Sequence, residues 1–272
     1  LTTNTKSNLT KVKLAEVTHS AFYAPLYVAI ENGYFEDEGI DLEVILTPGA
    51  DKVASAVLSN DVQVGFAGPE SAIYVYTGGE KDYIETFAGL TKRDGQFIVS
   101  RDKDFKITDL KGKEVLVGRY AGMPALNFIN AIKNTDVDID DIKLNYSVEF
   151  AALSGSFISG VGDYVNLFEP NATNIEKEGY GYVVASIGEL SGEVPYTAFY
   201  ARKSYLKENK ELLIKFTNAI NKGLEFVKDS EINRKYGWKL YDKNENETTD
   251  LTQAVKITTD YLSKEKGSNN LI

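Results

Sequence analysis

The chain has 272 residues, of which 43% are hydrophobic and 26% are charged, and its formal net charge at pH 7 is −10. It contains no cysteine and one histidine, His19, which excludes disulfides, thiol nucleophiles, iron–sulfur clusters and metal sites built on cysteine or on two histidines. An acidic chain is poorly suited to bind phosphate backbones, so we expect no nucleic-acid partner. No apolar run of about 18 residues is present, so the sequence predicts no membrane-spanning helix.

Short runs typical of strands alternate with runs typical of helices, which indicates an α/β protein. In the first part of the chain we expect strands at 12–17, 42–46, 62–66, 84–90 and 97–100 and helices at 21–32, 51–58 and 69–77. Further along we expect strands at 114–117, 142–146, 164–167 and 198–201 and helices at 124–133, 151–158 and 169–178. The rest is predicted to be mainly helical, with an apolar stripe made by Leu206, Leu213, Phe216, Ile220, Leu224 and Val227.

The order of predicted elements repeats at a nearly constant offset. Val12 and Val115 are 103 positions apart, and Phe66 and Phe168 are 102 positions apart. The repetition predicts two lobes of like topology. The residues before them are polar, which predicts a flexible tether. We assign 1–10 to the tether, 11–92 plus 197–272 to lobe I, and 93–196 to lobe II. A chain that crosses twice between two lobes predicts a hinge and an inter-lobe cleft.

Candidate ligand-binding residues follow from the position of five loops. In open α/β sheets, ligands bind where strands end and helices begin, and loops 18–23, 48–51, 67–71, 118–123 and 168–171 have that position. These loops are rich in aromatic side chains, which suit a flat ligand. The candidates in and beside them are His19, Ser20, Phe22, Tyr23, Phe66, Gly68, Glu70, Ser71, Arg119, Tyr120, Gly122, Phe168, Glu169 and Tyr196.

Some of these candidates have a second interpretation. Phe66 ends a strand that is expected to be buried, so it suits the hydrophobic core equally well. Glu70 and Glu169 stand in the predicted first turns of helices, where the helix dipole alone favours an acid. Asp163, a further acid at a strand boundary, can be interpreted as the cap of a turn.

The sequence carries no signature of catalysis. It has no Gly-x-Ser-x-Gly elbow, no P-loop and no Gly-x-Gly-x-x-Gly loop. His19 precedes Ser20, but no third group that would orient a catalytic pair can be identified, so we interpret His19 as a wall or hydrogen-bonding residue of a pocket. We therefore predict a protein that is not an enzyme and has no catalytic residue, cofactor or metal ion.

The run at 23–44 resembles the opening of the solute-binding proteins of ABC importers, in the superfamily that serves nitrate, taurine, alkanesulfonates and thiamine or its pyrimidine precursors. Segments at 54–65, 110–113, 159–163 and 168–170 are similar to later parts of those proteins. The resemblance implies a two-lobed, type II periplasmic-binding-protein-like fold, a small-molecule ligand, an ABC permease as partner and no catalytic activity. It also implies a mature extracytoplasmic chain that is periplasmic or held at the cell surface by a lipid anchor; we expect it to be a monomer.

The loops favour one ligand class within that superfamily. An anion site would use free N–H groups at helix starts, but Pro69 removes one such donor and Glu70 adds a negative charge. Met123 and Pro124 occupy positions where a sulfonate site would favour Ser, Asn or His. Arg119 could pair with an anion or form a surface ion pair. Aromatic loops with acids suit a flat, neutral or cationic heteroaromatic ring, so we predict thiamine or a thiamine pyrimidine precursor.

Each candidate then has a role. Aromatic rings of Phe22, Tyr23, Tyr120 and Phe168 would stack on the ligand, Glu70 and Glu169 would accept amine protons, and Ser20 and Ser71 would donate hydroxyl hydrogen bonds. The alternatives are a binding protein for aliphatic sulfonate, taurine or nitrate, a pyrimidine-synthase-like enzyme, and a sensor or adhesion module. The enzymes of that kind rely on histidine and cysteine chemistry, which this chain largely lacks.

Overall fold

Residues 8–229, the part of the chain described by the computed structural model, contain ten β-strands and ten α-helices. They divide into two compact units, one made of residues 8–91 and 197–229 and the other of Lys92–Tyr196. The predicted α/β class is confirmed. The predicted tether, apart from its last residues, and the chain after 229 lie outside the described residues.

The first unit is built on a five-stranded sheet. Its strands are β1 (Thr10–Glu16), β2 (Ile40–Leu46), β3 (Val64–Ala67), β4 (Ile84–Thr91) and β10 (Thr197–Arg202), in the order β2-β1-β3-β10-β4. β1 is parallel to β2 and β3, whereas β10 is antiparallel to β3 and β4. Its helices are α1 (Ala24–Glu31), α2 (Tyr34–Asp37), α3 (Ala50–Leu58), α4 (Glu70–Thr77), α9 (Lys203–Glu208) and α10 (Lys210–Asp229).

The second unit repeats this plan. Its strands are β5 (Gln96–Ser100), β6 (Glu114–Leu116), β7 (Lys143–Asn145), β8 (Tyr164–Phe168) and β9 (Tyr182–Ser186), in the order β7-β6-β8-β5-β9. β6 is parallel to β7 and β8, and β5 is antiparallel to β8 and β9. Its helices are α5 (Met123–Lys133), α6 (Leu153–Ile158), α7 (Asn171–Lys177) and α8 (Ile187–Ser191).

In both sheets, the antiparallel strand starts where the neighbouring parallel strand ends. Ala198 of β10 lies opposite Ala67 at the end of β3, and Gln96 of β5 lies opposite Phe168 at the end of β8. The loops after the parallel strands and the first residues of β5 and β10 therefore meet at one edge of each sheet, which is the usual ligand edge of open α/β sheets.

The predicted apolar stripe lies on α10, except for Leu206, which belongs to the separate short helix α9. Leu213, Phe216 and Ile220 are buried, and the Phe216 ring contacts Phe35 and Phe199, with centroid separations of 5.1 and 5.3 Å. Along the same helix, Gly223 permits close approach to α1, because a Cβ atom there would lie 2.1 Å from the carbonyl oxygen of Pro25. The stripe thus closes the core of the first unit.

Several predictions of secondary structure differ from what is observed. Three elements, α2, α8 and β9, were not predicted, although the run Tyr182–Ser186 of β9 has the β-branched residues of a strand. The helix expected at 169–178 begins only at Asn171, because Glu169 and Pro170 are joined by a cis peptide bond and precede the helix. Within the described residues, no helix combines the length and apolar character needed to cross a membrane.

Candidate functional site

The loop after β1 is fixed by a buried carboxylate. Glu16 is fully buried at the end of the strand, and its Oε2 atom lies 2.5 Å from Nδ1 of His19. The Tyr27 hydroxyl donates to Oε1 of Glu16 at 2.5 Å and accepts a hydrogen bond from the Ser20 backbone N–H at 3.1 Å. One carboxylate therefore sets the positions of the His19 ring and, through Tyr27, of the loop backbone.

Ser20 begins the turn that carries the aromatic candidates. Its side-chain oxygen accepts a hydrogen bond from the Phe22 N–H at 3.2 Å, in the manner of an N-cap, and a short 3-10 turn follows at Ala21–Tyr23. The rings of Phe22 and Tyr23 are 6.0 Å apart. The sequence analysis correctly placed these residues in one loop but did not include Glu16 or Tyr27, which hold that loop.

Tyr23 belongs to an aromatic column. Its ring meets the edge of Phe66 with centroids 4.5 Å apart, and Phe66 stacks on Phe199 at 4.3 Å. Phe66 has no exposed surface. Of its two possible roles, ligand contact and core residue, the structure shows the core position, from which its ring packs against Tyr23. Burial raises the pKa of the Tyr23 hydroxyl far above its ordinary value, a hydrogen bond with Thr197 opposes this, and the charges of Glu16 and Glu70 add to it.

Glu70 and Ser71 open α4 beside this column. Glu70 is only 7% exposed, and Ser71 is also buried. Gly68 leaves the space that the Glu70 carboxylate occupies, because a Cβ atom at residue 68 would lie 2.0 Å from Oε2 of Glu70. The first unit therefore brings two buried acids, Glu16 and Glu70, close enough to Tyr23 for both charges to act on its hydroxyl.

A buried polar cluster lies at the corresponding edge of the second unit. Asp94 accepts hydrogen bonds from the Gln96 backbone N–H and from the Asn127 amide, each at 2.8 Å, and Asn127 also donates to the Ser191 hydroxyl at 3.0 Å. Burial raises the pKa of Asp94 to about 6, against the hydrogen bonds from Asn127, Gln96 and Tyr196. The run from Lys92 to Gly95 has the polar composition of a solvated turn, yet Asp94 is only 6% exposed.

Two amides next to this cluster lack part of their hydrogen bonding. Among the residues described, Oε1 of Gln96 and both polar atoms of the Asn166 side chain have no hydrogen-bond partner, and all three are buried. The Gln96 amide nitrogen, by contrast, lies 3.4 Å from the Tyr196 hydroxyl. Tyr196, a predicted site residue, is thus placed by a polar cluster that the sequence did not reveal.

The remaining candidates of the second unit have different neighbours. Tyr120 is 78% exposed and meets the edge of Tyr146 at 5.2 Å, while Phe168 lies 6.1 Å from the Tyr196 ring. Arg119 accepts a hydrogen bond through its carbonyl from the Gly122 N–H at 3.3 Å, just before α5. Phe168 therefore contacts Tyr196, whereas Tyr120 contacts Tyr146, an aromatic residue that was not among the candidates.

Glu169 has a structural role in the second unit. Its carboxylate accepts hydrogen bonds from the backbone N–H and the hydroxyl of Thr173, at 3.0 and 2.8 Å. These contacts hold the first turn of α7 from outside the helix, so Glu169 does not stand in the first turn, where the alternative interpretation had placed it. Asp163 also has a structural role, since its Oδ2 atom accepts a hydrogen bond from the Glu114 N–H at 2.9 Å and so joins the starts of β8 and β6.

No metal centre is apparent in the described part of the chain. Residues 8–229 contain no group of three or more His, Asp or Glu side chains arranged to hold a metal ion. The loop edge of each sheet carries aromatic side chains and buried polar side chains that accept or donate hydrogen bonds. Such groups bind and orient a small molecule.

Two α/β units with five-stranded sheets of like strand order define the type II periplasmic-binding-protein fold, as predicted. The aliphatic sulphonate binding protein SsuA from Escherichia coli superposes with a TM-score of 0.67 at 14% identity, over 80% of this chain and 74% of that one. The nitrate-binding protein NrtA from Synechocystis PCC 6803 gives a TM-score of 0.65 at 18% identity, over 82% and 64%. At these identities the likeness concerns the fold.

The chain belongs to the NMT1/THI5-like family, whose sequence model matches residues 21–230. YtlA of Bacillus subtilis (strain 168), named as a binding protein, is 47% identical over 227 residues, which cover 82% of this chain and 68% of YtlA. The formylaminopyrimidine-binding protein of Halalkalibacterium halodurans is 24% identical over 83% of this chain and 69% of its own. The 4-amino-5-hydroxymethyl-2-methylpyrimidine phosphate synthase of Aspergillus parasiticus is 24% identical over 76% and 63%.

Proposed function

We propose that this chain is the extracytoplasmic solute-binding component of an ABC importer and that it captures thiamine or a thiamine pyrimidine precursor. The observation that carries the proposal is the buried acid Glu70 at the start of α4, at the same sheet edge as the aromatic column of Tyr23, Phe66 and Phe199. The names of two relatives, a binding protein and a formylaminopyrimidine-binding protein, support the same class of activity.

The charges of the first unit favour a ligand that donates protons or carries positive charge. A buried carboxylate is destabilising unless donors or cations compensate it. Glu70 lies at the ligand edge, beside the aromatic column of Tyr23, Phe66 and Phe199. An aminopyrimidine or a thiazolium ring supplies both a flat face for the aromatic rings and a donor or positive charge for the acid.

The helix starts of both units are poor sites for an oxyanion. Pro69 occupies the N-cap of α4 and has no N–H, and Pro124 stands in the first turn of α5. Anion sites at helix N-termini depend on such N–H groups. A sulfonate, taurine or nitrate would also meet the negative charge of Glu70. We therefore rank these ligands below the pyrimidine class, although the folds of SsuA and NrtA are similar.

In the proposed site, Phe22, Tyr23, Tyr120 and Phe168 stack on the ligand and Glu70 accepts an amine proton. Ser20 and Ser71 donate hydroxyl hydrogen bonds, and His19 forms a polar wall. We also propose that Gly68, Arg119, Gly122, Glu169 and Tyr196 contact the ligand. Phe66 acts indirectly, through Tyr23. The protein hands the ligand to an ABC permease and is not an enzyme; the sequence offers neither a cysteine nor a second histidine for chemistry of the synthase kind.

Isothermal titration calorimetry tests this proposal with thiamine, a 4-aminopyrimidine, taurine, an alkanesulfonate and nitrate. We expect micromolar or tighter binding of thiamine or the aminopyrimidine alone. Glu70→Gln should weaken that binding about 10- to 100-fold, because a charge-assisted hydrogen bond is lost. Glu43→Gln, which changes an exposed acid on β2, is the matched control and should bind as the parent does. Binding of taurine, alkanesulfonate or nitrate instead would overturn the proposal.

A further inference from the structure

The second unit has a loop at its ligand edge that the sequence analysis did not include. Because β6 is parallel to β7 and β8, the segments that follow these three strands leave the same edge of the sheet. Two of them are the predicted loops 118–123 and 168–171, and the third is the segment 146–152 after β7, here called the β7 loop. In the first unit, the predicted loop 48–51 follows β2, which has the same place in its sheet as β7. The repeated topology therefore makes the β7 loop a sixth member of the set.

The beginning of the β7 loop is fixed, and an aromatic side chain further along it is exposed. The backbone N–H and the hydroxyl of Ser147 both donate to Oδ1 of Asn145, at 2.9 and 2.7 Å. Tyr146 packs against one buried cluster of the unit and Val148 packs against another. Phe150 follows these anchored residues and is 39% exposed. The loop is thus held in place while the Phe150 ring stays accessible to solvent.

Phe150 contacts a ring that already belongs to the proposed site. Its ring centroid lies 5.7 Å from that of Phe168, the last residue of β8. Since β6 lies between β7 and β8 in the sheet, these two rings meet across the end of β6. Tyr146 of the same loop meets the edge of Tyr120 at 5.2 Å. The β7 loop therefore contributes one ring to each of these two aromatic pairs.

The apolar stripe of α6 is a different reason to find a phenylalanine at this position. Phe150, Leu153 and Phe157 have the three- and four-residue spacing of such a stripe. Leu153 and Phe157 are buried in the core, whereas Phe150 lies in the 3-10 turn before the helix and keeps much of its surface exposed. Core packing thus accounts for the other two residues and leaves the exposure of Phe150 unexplained.

We infer that the β7 loop is a further ligand loop and that Phe150, together with Phe168, contacts a ring of the ligand. The inference rests on the proposed function and adds a specificity-determining residue to it. A phenyl ring carries no hydrogen-bonding atom, so it favours a ligand with a flat, apolar face. An amino-substituted heterocycle presents such a face in addition to its N–H donors. Nitrate has no apolar part for this ring to contact.

Isothermal titration calorimetry of Phe150 variants with thiamine, a 4-aminopyrimidine, taurine, an alkanesulfonate and nitrate tests the inference. Phe150→Ala should weaken the binding of thiamine or the aminopyrimidine about tenfold, because the ring contact and its buried apolar area are lost. Phe150→Leu keeps an apolar side chain without a ring and should weaken that binding about threefold. Tyr182→Ala is the matched control and should bind as the parent does. Tyr182 is 40% exposed and begins β9 at the opposite edge of the same sheet.

The outcomes separate this inference from the proposed function. If the parent binds thiamine or the aminopyrimidine and Phe150→Ala binds it equally well, the role of Phe150 is wrong and the proposed function stands. If the parent binds another compound of the panel instead and Phe150→Ala weakens that binding, the proposed ligand class is wrong and the β7 loop is still a ligand loop. Phe150→Leu with the affinity of the parent would refute a contact through the ring, and this variant decides if Phe150→Ala does not fold. A parent that binds none of the five compounds overturns both proposals.

Discussion

Asp94 shows at the residue scale how a buried acid can couple stability to pH. Its carboxylate is held by Gln96 and Asn127, yet burial dominates and raises its pKa to about 6. In the unfolded chain the pKa of an aspartate is about 4. Between these two values the folded protein binds more protons than the unfolded one, so stability must fall as pH rises through that range.

We predict that the free energy of unfolding depends on pH more strongly in the parent than in Asp94→Asn. From pH 4.5 to pH 7.5, the parent should lose about 2 kcal/mol more of its free energy of unfolding than Asp94→Asn does, because the variant has no carboxyl group to ionise. Urea denaturation at pH 4.5, 6.0 and 7.5 measures this loss. The exposed Asp104 provides the control, since Asp104→Asn should follow the parent. Parallel profiles for the parent and Asp94→Asn would refute the assignment.

Sequence reasoning placed residues at the sheet edges correctly where they are next to a strand end, and it missed those whose surroundings come from distant segments. His19, Tyr23 and Glu70 were placed at the edge of the first sheet because each follows a predicted strand. Asp94 was missed because a Lys-Arg-Asp-Gly run has the composition of a solvated turn. Its burial depends on Asn127 and Ser191, which lie on α5 and α8 and are far away in sequence.

At the scale of elements, close helix packing decides the effect of removing a glycine. In an exposed helix interior, Gly→Ala stabilises by roughly 0.5–1 kcal/mol. Gly223 of α10 is an exception, because a Cβ atom would lie 2.1 Å from the Pro25 carbonyl oxygen of α1. Neither helix can yield without opening the core around Phe216.

Gly223→Ala should therefore destabilise the protein by about 1–3 kcal/mol, the range for overpacking a filled core. Gly155→Ala is the matched change in α6, where a Cβ atom would have no neighbour within 4 Å, and it should be neutral or stabilising. Thermal and urea unfolding of the two variants give the comparison. Equal effects of the two substitutions would show that backbone entropy, and not the α1–α10 contact, decides the result.

Periodicity was a good guide to elements, and boundaries were less predictable. The stripe of α10 and the strands β1, β2 and β4 were predicted because their patterns are long or strongly alternating. The start of α7 was placed too early because the sequence alone does not show that Glu169 caps the helix from outside through Thr173. β9 follows a segment that contains Gly179 and Gly181, which has the composition of a loop, and the strand was not predicted.

At the scale of the whole molecule, the second unit is one continuous segment of the chain, whereas the first is made of two segments, one before it and one after it. Lys92–Tyr196 contains all five strands of its sheet, and its ends meet, since the Val194 N–H donates to the Lys92 carbonyl at 2.9 Å. The sheet of the first unit needs β10 between β3 and β4. The repeat in the sequence predicted the like topology, and the strands predicted at 198–201 and 97–100 were assigned to the first and second lobe, but their positions within the two sheets were not predicted.

We expect a fragment of residues 92–196 to fold on its own and a fragment of residues 8–91 to remain unfolded. The first keeps its sheet and its buried core, whereas the second lacks the strand that joins β3 to β4. Far-UV circular dichroism and cooperative urea unfolding distinguish the two states. A cooperative transition in the fragment 8–91 would mean that β10 is dispensable for that sheet.

The central place of β10 also bears on the order in which the protein forms during synthesis. Chains fold from the ribosome as units become complete, and the first unit is incomplete until β10 and then α10, which ends at Asp229, have emerged. The second unit, whose last residue is Tyr196, is available slightly earlier. The part of the protein that is translated first is thus the part that matures last, and β1, β2 and β3 must wait for more than one hundred residues before their sheet can close.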